Sequence, residues 1–97
     1  MLVSIGWPVK TTTDKSGSIT AGGVAQNVAA ANSRRKGFWF QNVSDTDMWI
    51  SEVGTAAASQ PSILIPPYSM YEFSVVPISA ISVYCATTGK QFSAREW

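Results

Sequence analysis

The sequence has no histidine, a single cysteine and few charges. Without histidine, the chain lacks the commonest general base at neutral pH and the commonest metal ligand. Cys85 alone forms no intrachain disulfide. Its place in the apolar run ISVYCA reads as a buried small thiol. Charged residues are 13% of the 97, against roughly 25% in an average soluble domain. A net charge of +1 gives no basic footprint for nucleic acid. The one cationic cluster, Arg34, Arg35 and Lys36, reads as a solvated strand entry. The opening MLVSIGWPVK is too short for a signal peptide or a membrane span, and Gly6 and Pro8 interrupt it. The expectation is a chain made and used without export, with no membrane partner.

Catalytic and cofactor motifs are equally scarce. No serine sits in a G-x-S-x-G elbow, and Gly22-Gly23 opens no phosphate-binding loop. The acids Asp45, Asp47, Glu52, Glu72 and Glu96 are scattered. Asp45 and Asp47 are closest, but they lie in a polar loop without the shelter that splits the pKa values of a catalytic pair. They read as turn formers, and D-T-D offers too few oxygens for a calcium loop. The triplet Asn42-Val43-Ser44 matches a glycosylation acceptor, a common chance match. The expectations are no enzyme activity, no cofactor and no metal.

What the sequence does have is apolar residues, 45% of the chain. The length suits one small domain with a marginal core. So many apolar residues beside so few charges imply a surface that packs against neighbours.

Residues 1–17 read as an extended arm. Leu2, Val3, Ile5 and Trp7 form an apolar strip, followed by the polar TTTDKSGS. The strip suits addition to a sheet edge, on a neighbour or on its own domain. From residue 18 to residue 97, short segments alternate apolar with polar and are separated by turn residues. AQNVAAA fits a strand or a short helix. GFWFQNV and DMWISEV alternate, as do YEFSVV, AISVYCA and QFSAREW. This predicts Phe38, Phe40, Ile50, Tyr71, Phe73, Ile81, Val83 and Phe92 inward, with Met48, Val75, Cys85 and Ala94 on the same faces. Seven or so short strands at even spacing predict an all-β fold. The expected form is a small antiparallel β-sandwich, jelly-roll or Ig-like, with the N-terminal arm outside it.

The break NVSDTD between GFWFQNV and DMWISEV has the length and residues of a hairpin turn. A hairpin there sets Trp39 and Trp49 close together on one face. Such a pair serves as a sugar platform, or as core or subunit interface. The reading as core or subunit interface is preferred, because interfaces also enrich tryptophan and tyrosine. With Trp97, these tryptophans and Leu2, Val3, Ile5 and Trp7 are the candidate partner-binding residues.

The order of motifs RRKGFWFQNVSDTDMWISEVGTAAA, SILIPPYSMYEF and AISVYCATTGKQFSARE resembles small virion proteins of tailed bacteriophages. The resemblance covers about residues 18–97, and it departs from the pattern at Pro66-Pro67, where a glycine turn is common. It implies a β-sandwich that binds the major capsid protein or other virion proteins, in the virion, as a homo-oligomer. The function it implies is a capsid decoration or cement protein that stabilises the coat. The alternative is a tail fibre, neck or receptor-binding module gripping glycan through surface aromatics.

Overall fold

The computed structural model describes residues 11–97. Every regular element among these residues is a strand. In order they are β1 (Thr13–Asp14), β2 (Gly17–Ser18), β3 (Gln26–Ala29), β4 (Phe38–Asn42), β5 (Met48–Ser51), β6 (Ile63–Ile65), β7 (Met70–Glu72), β8 (Ile81–Tyr84) and β9 (Gln91–Glu96). No helix of the described residues is long and apolar enough to cross a membrane.

The strands form two antiparallel sheets. Sheet 1 runs β1-β9-β4-β7, with β2 also paired to β9, and sheet 2 runs β3-β8-β5-β6. The pairs β2·β9, β3·β8, β4·β7 and β5·β6 nest inside one another. The chain is thus one long antiparallel ribbon, folded at the β5–β6 connection and rolled up. Rolling adds the pairs β4·β9 and β5·β8, which complete the sheets. This is jelly-roll connectivity and not that of an immunoglobulin sandwich.

Alternation explains the core. Phe38 and Phe40 of β4, Met48 and Ile50 of β5, Ile81 and Val83 of β8, and Phe92 and Ala94 of β9 are buried between the sheets. Ile19, Ile65, Phe73 and Cys85 join them from strand ends. Phe40 stacks on Phe92 at 5.3 Å between ring centroids, and Phe38 meets Phe73 edge-on at 6.1 Å, geometries that favour the ring quadrupoles. Tyr71 is only half-buried and packs its ring edge against Phe73. Val75 is 85% exposed, because β7 ends at Glu72 and the alternation ends with it.

AQNVAAA resolves as strand, with a bulge between Asn27 and Ala29. The larger correction concerns NVSDTD. β4 lies in sheet 1 and β5 in sheet 2, so they are not a hairpin. The loop is an arch from one sheet to the other. The turn at Thr88–Lys90 is also an arch, since β8 and β9 lie in different sheets. Part of the expected arm belongs to the domain: Thr13–Asp14 and Gly17–Ser18 pair with β9. The strip Leu2, Val3, Ile5 and Trp7 lies outside the described residues.

Candidate functional site

The arch between β4 and β5 is built on Asn42, which is wholly buried. Its Nδ2 donates to the carbonyls of Thr46 at 2.7 Å and Ile65 at 2.9 Å. Its Oδ1 accepts from the Ser44 backbone NH and hydroxyl. The amide is therefore fully engaged, and the acceptor Asn42 of the glycosylation triplet is buried structure. Asp45 stands outside the arch, and Lys90 Nζ donates to it at 2.7 Å. That hydrogen bond, with a smaller one from Thr46, lowers the Asp45 pKa, and the same contact raises that of Lys90. Asp45 thus carries an ion pair as well as a turn.

Arg34 and Lys36 are exposed, as a solvated strand entry requires, but Arg35 is buried and corrects that reading at its own position. Its side chain has no solvent exposure. Nε donates to Glu96 Oε1 at 2.7 Å, and the other nitrogens donate to the carbonyls of Ala30, Pro77 and Ser79. The guanidinium also lies 5.5 Å from the centre of the Phe38 ring. It locks the β3–β4 connection and the segment before β8 to the end of β9. Nothing in the sequence near Arg35 signals this, because its acceptors are distant backbone carbonyls.

The two outer sheet faces hold Trp39, Trp97, Trp49 and Tyr84. On sheet 1, Trp39 sits between Arg95 of β9 and Glu72 of β7 in a single cross-strand row. The Arg95 guanidinium lies 5.9 Å from the Trp39 ring centre, a cation–π contact. Asp14 of β1 continues the row beyond Arg95. The Asp14 carboxyl is held below its ordinary pKa by hydrogen bonds from Ser16 first, and to a smaller degree by Arg95. Trp97 extends the β4·β9 pairing by exchanging backbone bonds with Gly37. Its indole lies where a Gly37 side chain would stand, so any Cβ there overlaps the ring. On sheet 2, Leu64, Trp49 and Tyr84 form an apolar row. The adjacent Ser51 and Ser82 are covered by the loop after β5, where Ser82 Oγ accepts from the Ala56 NH and donates to the Gly54 carbonyl.

Trp39 and Trp49 therefore face opposite ways, on different sheets, and do not form a joint platform. Both are half-buried. The structure instead brings Trp39 together with Arg95, Glu72 and, along β9, Trp97. The depressions described are open to solvent. One lies between β3 and the loop after β5, where Asn27, Glu52, Ser79 and Ser82 line it beside the apolar Val53 and Ala80. Among the described residues, no group of three or more His, Cys, Asp or Glu is placed to hold a metal ion. No family model, no curated protein and no solved structure matches this chain.

Proposed function

We propose that the protein is a structural component of a tailed-phage particle, a decoration or cement protein that binds coat subunits from outside and stabilises the capsid. The observation that carries this reading is where the large aromatic side chains outside the core lie. Trp39 and Trp97 on one sheet, and Trp49 and Tyr84 on the other, are half-buried and divided between the two outer faces. Sheet faces with tryptophan, arginine and methionine suit protein partners. The low charge and the motif order described above point the same way. Each contact gains about 25 cal/mol per Å² of apolar surface removed from water. Repeated over a lattice, modest contacts become a strong hold.

The glycan-binding alternative loses its two-tryptophan platform, since the two indoles lie on opposite sides of the sandwich. A fibre or neck position does not depend on that platform. Labelling of purified phage particles with an antibody to this chain, followed by electron microscopy, tests both stations. Label spread over the head is the expected result. Label confined to the tail moves the protein to the fibre or neck reading, and particles without label overturn the virion assignment.

A further inference from the structure

The outer face of sheet 1 carries a charge order that is complementary to itself. Trp39 on β4 has Arg95 as its neighbour on β9 and Glu72 as its neighbour on β7. Strands stand about 4.8 Å apart, so the two oppositely charged residues lie one strand away from Trp39 on either side. Both charged residues are exposed, and Met70, in the next row, is 60% exposed. Left and right of Trp39 thus differ in the sign of their charge.

We propose that two copies of the chain pair through this face, about a two-fold axis parallel to the strands and centred over Trp39. Such an axis exchanges left and right but keeps each row at its own level. Trp39 then meets Trp39 of the second copy. Arg95 meets Glu72 of the second copy, and Glu72 meets its Arg95. Gln41 meets Gln41, and Met70 meets Ser93, because Gln41 separates those two in the next row. Asp14 lies one strand beyond Arg95, so it falls outside β7 of the second copy and meets no like charge. Isologous pairing of this kind needs a surface whose charges change sign across the axis, and this row provides it. The apolar row Leu64–Trp49–Tyr84 on sheet 2 has no such sign and singles out no partner.

The face is small. The three strands that overlap, β9, β4 and β7, and the six residues of β9 span about 14 by 20 Å, on the order of 300 Å² per copy. Two such faces lie well below the roughly 1,000 Å² of a stable specific interface. The pairing is therefore weak in free solution and gains strength where copies are held side by side, as on a coat lattice. This inference deepens the proposed function and draws its assembly context from it, but its test needs no phage particle.

Sedimentation velocity of the full chain, from ~10 µM to ~1 mM in low salt, measures the pairing. Arg95→Glu and Glu72→Arg are tested separately and as a mixture, with circular dichroism to confirm that both exposed substitutions keep the fold. Wild type is expected to dimerise with rising concentration. Each variant alone is expected to weaken self-association at least tenfold, since like charges then face each other twice. The mixture is expected to recover a heterodimer, because the two substituted charges face each other and the two retained charges do the same. A wild-type monomer over the whole range overturns the pairing, as does self-association unchanged in both variants or a mixture that fails to recover. A chain that dimerises but labels no particle leaves the pairing standing and removes the proposed function. A chain that labels the head but stays monomeric does the reverse.

Discussion

Arg35 Nε donates to Glu96 Oε1 at 2.7 Å, with the arginine side chain wholly out of solvent and the glutamate side chain 10% exposed. A buried ion pair of this kind is weak evidence for stability in itself, because desolvation offsets much of the Coulomb attraction. Here the guanidinium also satisfies the carbonyls of Ala30, Pro77 and Ser79. Those acceptors make the arginine more than one half of a pair.

Arg35→Met should therefore cost about 3–5 kcal/mol in urea denaturation, because Glu96 Oε1 and three backbone acceptors lose their donor together, while Lys15, 3.8 Å from Glu96 Oε2, still faces the carboxylate. Adding Glu96→Leu should recover only part of that loss, since the carbonyls remain unsatisfied. Full recovery in the double variant would mean that the backbone bonds contribute nothing and that the ion pair alone explains the cost. Arg35→Lys should also destabilise, because an ammonium does not reproduce the planar fork.

Gly37→Ala should displace the Trp97 indole, which occupies the space of any side chain at that position. Overpacking of this kind costs about 1–3 kcal/mol. Trp97 would also move toward water, so its fluorescence should shift to longer wavelength. An alanine variant with unchanged stability and emission would show that the indole does not rest on Gly37.

The core was legible from alternation because burial on one face writes itself into every second residue. Phe38 with Phe40, Met48 with Ile50, and Ile81 with Val83 each show it. Strand pairing was not legible. The residues that make a hairpin turn are also those that satisfy a sheet-crossing arch. In NVSDTD, Ser44 and Thr46 serve an arch that Asn42 ties to Ile65, more than twenty residues away. The Trp39–Trp49 platform failed with the hairpin it presupposed. In the sequence Arg35 reads as solvated, because its acceptors are carbonyls of Ala30, Pro77 and Ser79, and backbone acceptors leave no mark in a sequence. The strands at Thr13–Asp14 and Gly17–Ser18 leave no apolar signal either, because main-chain pairing with β9 holds a polar segment that has little to bury.

The Asp45–Lys90 pair is exposed, so its signature is a pH dependence of small amplitude. The hydrogen bond from Lys90 lowers the Asp45 pKa. The folded state therefore favours the ionised carboxylate, and the contribution is present above the ordinary aspartate range and lost as pH falls through the lowered value. Lys90 is raised by the same contact. Its contribution is full below the ordinary lysine range and fades as pH rises through the raised value. Asp45→Asn should thus lower the melting temperature slightly at neutral pH and low salt, and match wild type once the pH drops below the folded pKa. A gap that persists in acid would assign the effect to turn geometry and not to charge.

Asn42 gives the sharpest test of the arch. Its two donor bonds, to Thr46 and Ile65, hold the crossing segment to the end of β6, while its carbonyl serves Ser44. Asn42→Ala removes both sets and should cost about 2–4 kcal/mol, since buried acceptors left unpaired cost about 1–3 kcal/mol each. That result alone does not separate lost bonds from lost volume. Asn42→Asp does, because it keeps the shape and the acceptor toward Ser44 and replaces the donor with an oxygen facing two carbonyls. If the donor bonds hold the arch, the aspartate variant should be at least as unstable as the alanine variant at neutral pH. It should recover part of the loss in acid, where a protonated carboxyl again donates. An aspartate variant as stable as wild type at neutral pH would show that Thr46 and Ile65 do not depend on Asn42, and that the crossing from sheet 1 to sheet 2 is held by something else.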